Sequence, residues 1–250
     1  MSSDGDSEVI KKSQEEVNAG LVAIRQGMKD VAGTHFWYAL QQLDKVNNPT
    51  ERRNLYSEIS ELFLNTSFED LALMAVLDAL DADKELGLQR GLIKDSMTYA
   101  NIHTRLGNLE ESEAKYQTIL QSCLKNGDYA NAASASTNLA GIFADENYLE
   151  EATQLLQNSL DYLKGEDFPG TEINTYLMLI QVMEVQKREP EHIFATARML
   201  LDRLYRKLQP QHCAILTQSI ESTLNRYSQK NIEIDVDNWR KEKFPELYRA

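Results

Sequence analysis

The chain has 250 residues, 42% of them hydrophobic and 26% charged, a balance typical of a folded protein with a sizeable core. Its 26 Lys and Arg stand against 39 Asp and Glu, and the net charge of −13 disfavours nucleic acid and anionic membranes as partners. No apolar run approaches the roughly 18 residues of a membrane-spanning helix, so we expect no membrane insertion.

The N-terminal stretch MSSDGDSEVIKK is polar and acidic, whereas a secretory signal begins with basic residues and continues with an apolar core. We expect residues 1–7 to form a disordered lead. Cys123 and Cys213 lie far apart within helical patterns, which predicts two reduced, buried thiols. These features favour a cytoplasmic protein.

Helix-breaking residues recur along the chain at a constant spacing. Gly27, Ser67, Gly107 and Asn147 are separated by 67−27, 107−67 and 147−107 residues, which is forty each time. Glycine accepts a positive φ freely, and Asn tolerates it better than most residues. We therefore predict a turn at each position, with an antiparallel helical hairpin around it.

Small or neutral residues stand at fixed distances from these turns and would let the two helices of a hairpin approach closely. Before the turns they are Gly20, Ser60, Ala100 and Ala140. After the turns they are Ala32, Ala72, Ser112 and Ala152. Larger apolar residues nine positions after each turn would fill the space between hairpins: Phe36, Val76, Tyr116 and Leu156.

Residues 8–228 are predicted to form about five hairpins and one further helix. The hairpins are expected at about 8–46, 51–85, 90–125, 129–164 and 171–208. The helix at 211–228 would cover the apolar face of the last hairpin. The tail, 229–250, includes one plausible extended piece at 232–236. It is too apolar for a solvated end, so we expect it to fold back with Trp239 buried on the last helices. The alternatives are that it docks into a second copy or into the groove as a built-in ligand.

The stretches ANIHTRLGNLEESEAKYQTIL and LAGIFADENYLEEATQLLQNSL show the full pattern of a small residue, a turn, and a small and a large residue after it. This pattern resembles the tetratricopeptide repeat family over roughly Glu15 to Leu163. The period of forty departs from the family's usual thirty-four and resembles its long-helix variants, such as kinesin light chain. The resemblance implies an all-α, right-handed superhelical solenoid of stacked antiparallel hairpins.

In such a solenoid the first helix of each hairpin lines an inner groove, where ligands bind. Counting back from the turns, the candidate ligand-binding residues belong mainly to hairpins three to five: Lys94, Thr98, Asn101, Arg105, Ser134, Asn138, Asn174 and Gln181. The early hairpins would contribute Asn18, Asn54, Glu58 and Glu61. In peptide-binding members of the family, an Asn at the position of Asn138 holds the ligand backbone. The alternative interpretation is that Asn138 is simply an exposed polar residue.

No catalytic motif, phosphate-binding loop or metal-ligand spacing is present in the sequence, so we expect no catalytic residues, no cofactor and no metal. The preferred function is a non-catalytic scaffold or adaptor that binds a protein or peptide partner. One alternative is a peptide- or effector-responsive regulator of the same repeat class, and another is an enzyme built on a helical toroid. A homo-oligomer is not excluded.

Two further features of the sequence have two interpretations each. Arg52 and Arg53 begin a helix and form either an anion-binding pair or, more simply, solvated surface. In the run His35-Phe36-Trp37-Tyr38, Phe36 belongs to the predicted core, so Trp37 or Tyr38 must point elsewhere. These two aromatic side chains either anchor a partner or pack on the neighbouring hairpin.

Overall fold

The computed structural model describes residues 3–165, residues 168–187 and individual residues between 192 and 199. Nine helices and no strand occur between Ser3 and Val185: α1 (Ser3–Arg25), α2 (Lys29–Leu43), α3 (Pro49–Asn65), α4 (Glu69–Leu86), α5 (Gln89–Arg105), α6 (Leu109–Asn126), α7 (Tyr129–Asp145), α8 (Leu149–Tyr162) and α9 (Pro169–Val185). The fold of this part is therefore all-α. Contacts divide the chain into unit 1, residues 1–119, and unit 2, residues 120–250, with the boundary inside α6.

The turns within the hairpins lie where the sequence predicts them. Gly27, Ser67, Gly107 and Asn147 have φ values of 75°, 61°, 78° and 67°. Lys187, forty residues after Asn147, has a φ of 55° and extends the series. In the first four turns the next backbone amide donates to the carbonyl five residues earlier, at 2.7–2.9 Å, which closes the helix end as in a Schellman motif.

The core of unit 1 is built around aromatic side chains between its hairpins. The Phe36 ring lies 4.7 Å from that of Phe63 and 5.0 Å from that of Phe68, measured between centroids. A Cβ atom at Gly20 would come within 2.3 Å of the Phe36 ring. The side-chain-free surface of Gly20 is therefore what allows Phe36 to lie between α1 and α2.

The predicted close-approach positions are buried in both units. The small residues on either side of the turns are fully buried: Ala32, Ser60, Ala72, Ala100, Ser112, Ala140 and Ala152. Gly20 is also buried. Because a larger side chain at these positions would overlap the facing helix, these residues determine how closely the helices of a hairpin pack.

The N-terminus differs from the predicted disordered lead, because α1 already begins at Ser3. The Asp6 carboxylate accepts hydrogen bonds from the Asn47 backbone amide at 3.0 Å, the Asn47 side-chain amide at 2.8 Å and the Asn48 backbone amide at 3.1 Å. These bonds attach the first turns of α1 to the loop before α3. A polar sequence was interpreted as solvated, although its Asp6 side chain is buried and accepts hydrogen bonds from this loop.

Unit 2 contains the end of α6, the hairpin of α7 and α8, and α9. Ala140 and Ala152 bring α7 and α8 together, and Leu156, Leu179 and Val182 complete a core that includes α9. The predicted helix 211–228, the tail 229–250 with Trp239, the extended piece 232–236 and Cys213 lie outside the described residues. The right-handed superhelical course stays a prediction.

Candidate functional site

A buried cluster of charged side chains joins α3, α4 and α5 in unit 1. Arg53 donates to Asp83 through Nε at 2.5 Å and Nη2 at 3.0 Å, and through Nη2 to Asp95 at 2.6 Å. Ser57 donates to the other Asp95 oxygen at 2.5 Å, and all four side chains are at most 8% exposed. Solvated surface was therefore the wrong interpretation of Arg53, because the two carboxylates from α4 and α5 pair it inside the fold.

The charged groups of the cluster shift one another's pKa values and pack closely. Burial and the neighbouring Asp83 carboxylate raise the pKa of Asp95 to about 6, against the opposing effects of Ser57 and Arg53. The hydrogen bond with Asp83 raises the pKa of Arg53. A Cβ atom at Gly91 would lie 2.3 Å from Asp83 Oδ1 and 2.4 Å from Arg53 Nη2, so only glycine leaves room. Arg53 pairs with the carboxylates of two other helices, which indicates a role in holding the three helices together.

Lys94 and Thr98, two of the predicted ligand-binding residues on α5, have partners within the fold. The Lys94 ammonium lies 3.0 Å from a Glu61 carboxylate oxygen and donates to the Ser57 hydroxyl at 3.2 Å. Thr98 is buried, and its hydroxyl donates to the Lys94 carbonyl at 3.4 Å. The expectation that Thr98 faces a ligand is corrected, because its side chain is buried within the fold.

The other two candidates on α5 also contact neighbouring residues. Asn101 accepts a hydrogen bond from the Tyr116 hydroxyl. Arg105 donates to the Leu64 carbonyl at 2.5 Å and lies 3.8 Å from a Glu69 carboxylate oxygen. The Leu64 carbonyl belongs to the last turn of α3, where helix carbonyls lack internal partners, so Arg105 caps that helix.

In unit 2 a row of hydroxyl contacts sets the packing of α7 against α9. Ser134 and Thr171 lie 3.2 Å apart between their hydroxyl oxygens, and Thr137 and Thr175 lie 2.7 Å apart. Ser159 of α8 completes the buried group, at 2.9 Å from Thr137 and 3.1 Å from Thr175. These contacts advance along both helices in the same direction, so α7 and α9 run parallel.

Three of the predicted residues lie on the accessible side of this helix pair. Asn138 on α7 is partly exposed, and Asn174 and Gln181 on α9 are exposed. None of these three amides forms a hydrogen bond with another residue of the described ranges. Asn138 lies between Ser134 and Gly141 on α7, and both of those residues approach α9, since a Cβ at Gly141 would be 3.3 Å from the Met178 methyl carbon.

Unit 1 has a separate groove between α1 and α3, the first helices of its two N-terminal hairpins. Its volume is about 330 Å³. Helical spacing predicted the polar residues of this groove, Asn18 and Glu58. It missed the apolar residues, because these can be identified only once the positions of both helices are known. Apolar and polar side chains of both helices form the lining: Ile10, Val17, Asn18, Leu55, Glu58 and Leu62.

Within the described ranges no group of three or more His, Cys, Asp and Glu side chains is arranged to hold a metal ion. None of the helices described is long and apolar enough to cross a membrane. Cys123 is a buried free thiol, as predicted, and burial raises its pKa to about 11.

Comparison with solved structures identifies similar folds at low sequence identity. The Rap conjugation gene regulator of plasmid pLS20, solved with the Phr* peptide, matches 99% of this chain and 68% of its own, with a TM-score of 0.66 and 18% identity. The apo form of RapI matches 94% of this chain and 91% of its own, with a TM-score of 0.62 and 14% identity. A kinesin light chain from Podospora anserina with nearly identical TPR-like repeats matches 74% of this chain and 100% of its own, with a TM-score of 0.52 and 8% identity.

These structures assign the chain to the class of all-α, tetratricopeptide-like helical-repeat folds. No protein-family model and no curated protein matches the sequence. At these identities the likeness concerns the fold, and the long-helix variant of the repeat stays a prediction.

Proposed function

We propose that this protein is a non-catalytic, peptide-binding helical-repeat protein that holds an extended peptide through its backbone on the accessible side of α7 and α9. The observation that carries the proposal is the group of three amides, Asn138, Asn174 and Gln181, which form no hydrogen bonds with the other described residues. A primary amide both donates and accepts, so it can pair with a peptide unit whatever the side chain.

The arrangement of the three amides fits an extended ligand. Asn174 and Gln181 are 181−174, or seven, residues apart on α9, so they lie two turns apart on the same side of the helix. Asn138 stands across from them on the parallel helix α7. An extended peptide along the pair could therefore meet amides on both sides. Ser134, held by Thr171, borders the same surface.

The proposal does not use the candidate residues of unit 1. Lys94 and Arg105 would have to leave Glu61 and Glu69 before contacting a ligand, so we assign them no part in backbone capture. The fold likeness to the pLS20 regulator, whose structure contains a Phr* peptide, supports a peptide as the ligand class.

The test uses a peptide selected from a random-sequence library on the full chain. We expect the combined change of Asn138→Ala, Asn174→Ala and Gln181→Ala to weaken this peptide at least about tenfold, since each net hydrogen bond contributes about 0.5–1.5 kcal/mol. N-methylation of single backbone amides of the peptide should weaken binding similarly at the contacted positions. Affinity is measured by calorimetry.

Gln157→Ala is the matched control, because Gln157 is an exposed amide on the second helix of the same hairpin. It should leave affinity unchanged. The proposal is wrong if the triple variant keeps its affinity, or if no N-methylated peptide differs from its parent.

A second candidate function is a regulator whose conformation responds to the bound peptide. The two Rap structures, one of them a conjugation gene regulator, favour this candidate. It predicts that the selected peptide changes amide hydrogen exchange in helices beyond those it contacts. Protection confined to α7 and α9 would favour the scaffold instead.

A further inference from the structure

The outer faces of α2 and α4 in unit 1 carry exposed apolar side chains that the peptide-binding proposal does not use. Five of them are between 41% and 48% exposed: Val31, Trp37, Tyr38, Met74 and Leu77. We call these residues the outer apolar surface. Single exposed apolar residues are ordinary, but a group on two adjacent helices marks an interaction site.

The start of α4 adjoins α2 beside this surface. The Phe68 residue that precedes α4 lies against α2, since a Cβ at Gly33 would be 3.2 Å from the Phe68 ring. An open cavity of about 460 Å³ lies here, and Trp37, Tyr38 and Phe68 form part of its wall. Its size is sufficient for one or two large apolar side chains of a partner.

The fold does not require apolar residues at these positions. Trp37, Leu77, Gln117 and Gln157 occupy the same register position in four successive hairpins, at a spacing of forty residues. Both glutamines are exposed on α6 and α8. Val31 likewise corresponds to Glu111 and Glu151. Because a polar residue serves this position in the later hairpins, the apolar residues of the first two hairpins need another explanation.

Acidic side chains border the outer apolar surface. Asp70 stands one turn before Met74, and Asp81 stands one turn after Leu77, on the same side of α4. Asp30 has the equivalent place on α2. The nearby cations are already engaged, with Lys29 5.4 Å from the Phe68 ring centre and Lys84 2.8 Å from Asp81. Asp81 is thus paired with Lys84, whereas Asp30 and Asp70 form no ion pair with a described residue, so the border keeps an excess of negative charge.

We propose that the outer apolar surface binds an amphipathic helical segment of a partner protein, with an apolar face that enters the cavity and Lys or Arg residues along its edges. A helix that lies in a groove with anchors at i, i+4 and i+7 is a recurrent recognition mode. A second copy of this chain is disfavoured, because the unpaired Asp30 and Asp70 would meet the same carboxylates. The surface lies on helices other than α7 and α9, so this site is independent of the peptide site.

The test measures fluorescence anisotropy with three labelled 18-residue helical peptides that carry Leu, Phe or Met at i, i+4 and i+7 and Lys on both flanks. Each has a twin with Glu in place of Lys. The full chain is compared with a Trp37→Gln, Leu77→Gln variant, which copies the residues of the later hairpins. Gln117→Ala, Gln157→Ala is the matched control, with circular dichroism to verify folding.

We expect at least one Lys-flanked peptide to bind, its Glu twin to bind at least about tenfold more weakly, and the Trp37, Leu77 variant to lose at least about tenfold in affinity while the control loses none. Failure of all three Lys-flanked peptides, equal binding of the twins, or an unaffected Trp37, Leu77 variant would each overturn the proposal. So would a dimer in sedimentation velocity that the same variant converts to a monomer, since the occupant would then be a second copy.

Discussion

Two equivalent helix contacts, one in each unit, are built from different chemistry. In unit 1, Ser57 of α3 meets Asp95 of α5 at 2.5 Å. In unit 2, Thr137 of α7 meets Thr175 of α9 at 2.7 Å. The residues correspond, since 57+80 is 137 and 95+80 is 175. The same contact between successive first helices therefore occurs once with a carboxylate and once with two hydroxyls.

The surroundings of these contacts differ in the same way. Arg53 and Asp83, which enclose Asp95, correspond to Ala133 and Leu163 in unit 2. Both of these residues are buried. The hairpin backbone thus accepts either a charged cluster or a neutral, mostly apolar one. A buried ion pair returns little net stability, but the loss of one partner leaves an unpaired charge. We therefore expect unit 1 to be more sensitive to single substitutions and to pH.

The largest effect is expected from Arg53→Ala. It leaves Asp83 and Asp95 facing each other without a counter-ion, and we expect the free energy of unfolding to fall by about 3–5 kcal/mol. Urea denaturation followed by circular dichroism measures the loss, and hydrogen exchange should locate it in α3 to α5. Lys84→Ala removes an exposed ion pair and should cost less than about 1 kcal/mol. Equal losses in the two variants would contradict the prediction.

A smaller effect is expected from Thr175→Val in unit 2. The substitution keeps the shape of the side chain but removes the hydroxyl that Thr137 and Ser159 contact, so we expect a loss of about 1–3 kcal/mol in the same urea experiment. Thr118 is exposed, and Thr118→Val should stay within about 0.5 kcal/mol. A neutral outcome for Thr175→Val would mean that the hydroxyl group contributes nothing beyond packing.

The combined change of Arg53→Ala, Asp83→Leu and Asp95→Thr gives unit 1 the residues of unit 2. Because it removes all three charges together, we expect the free energy of unfolding to stay within about 1.5 kcal/mol of the wild type, far closer than that of the single Arg53→Ala variant. Urea denaturation compares the two variants directly. A triple variant less stable than the single one would show that this contact needs its charges.

The pH dependence of stability provides a further test of the charged cluster. Burial raises the pKa of Asp95 from its ordinary 3.8 to about 6, so the folded state binds this proton more tightly than the unfolded state. The resulting stabilisation is fully present below pH 3.8 and is lost as the pH rises through about 6. The stability of the wild type relative to Asp95→Asn should therefore fall over this range. Parallel pH curves for the two proteins would contradict it.

The sequence was sufficient to predict the first four hairpins, because their turns depend on local conformation. Gly27 and Asn147 tolerate a positive φ, and the small residues before and after the turns depend only on helix spacing. The charged cluster was missed although a signal existed. Asp83 stands at the register position of Leu43, Cys123 and Leu163, all of them buried. A carboxylate at a position otherwise occupied by core residues indicates a buried counter-ion.

The candidate site was only partly predictable. Helical spacing identified the accessible sides of α7 and α9 and so located Asn138 and Asn174. It could not reveal that Thr98 is buried, or that Arg105 donates to a carbonyl of α3. Spacing within one helix describes its faces, whereas the partners of each face come from helices distant in the sequence.

The charged cluster also limits how the gene could change. A repeat of forty residues can in principle be lost or duplicated in one recombination event without interrupting a helix. Loss of residues 67–106, however, would bring Ala135 and Cys123 to the positions of Asp95 and Asp83. Arg53 would then be buried without a carboxylate. Such a deletion would destabilise the fold unless Arg53 were also replaced. The charged cluster therefore opposes a change in the number of these hairpins, which regular repeat arrays otherwise gain and lose.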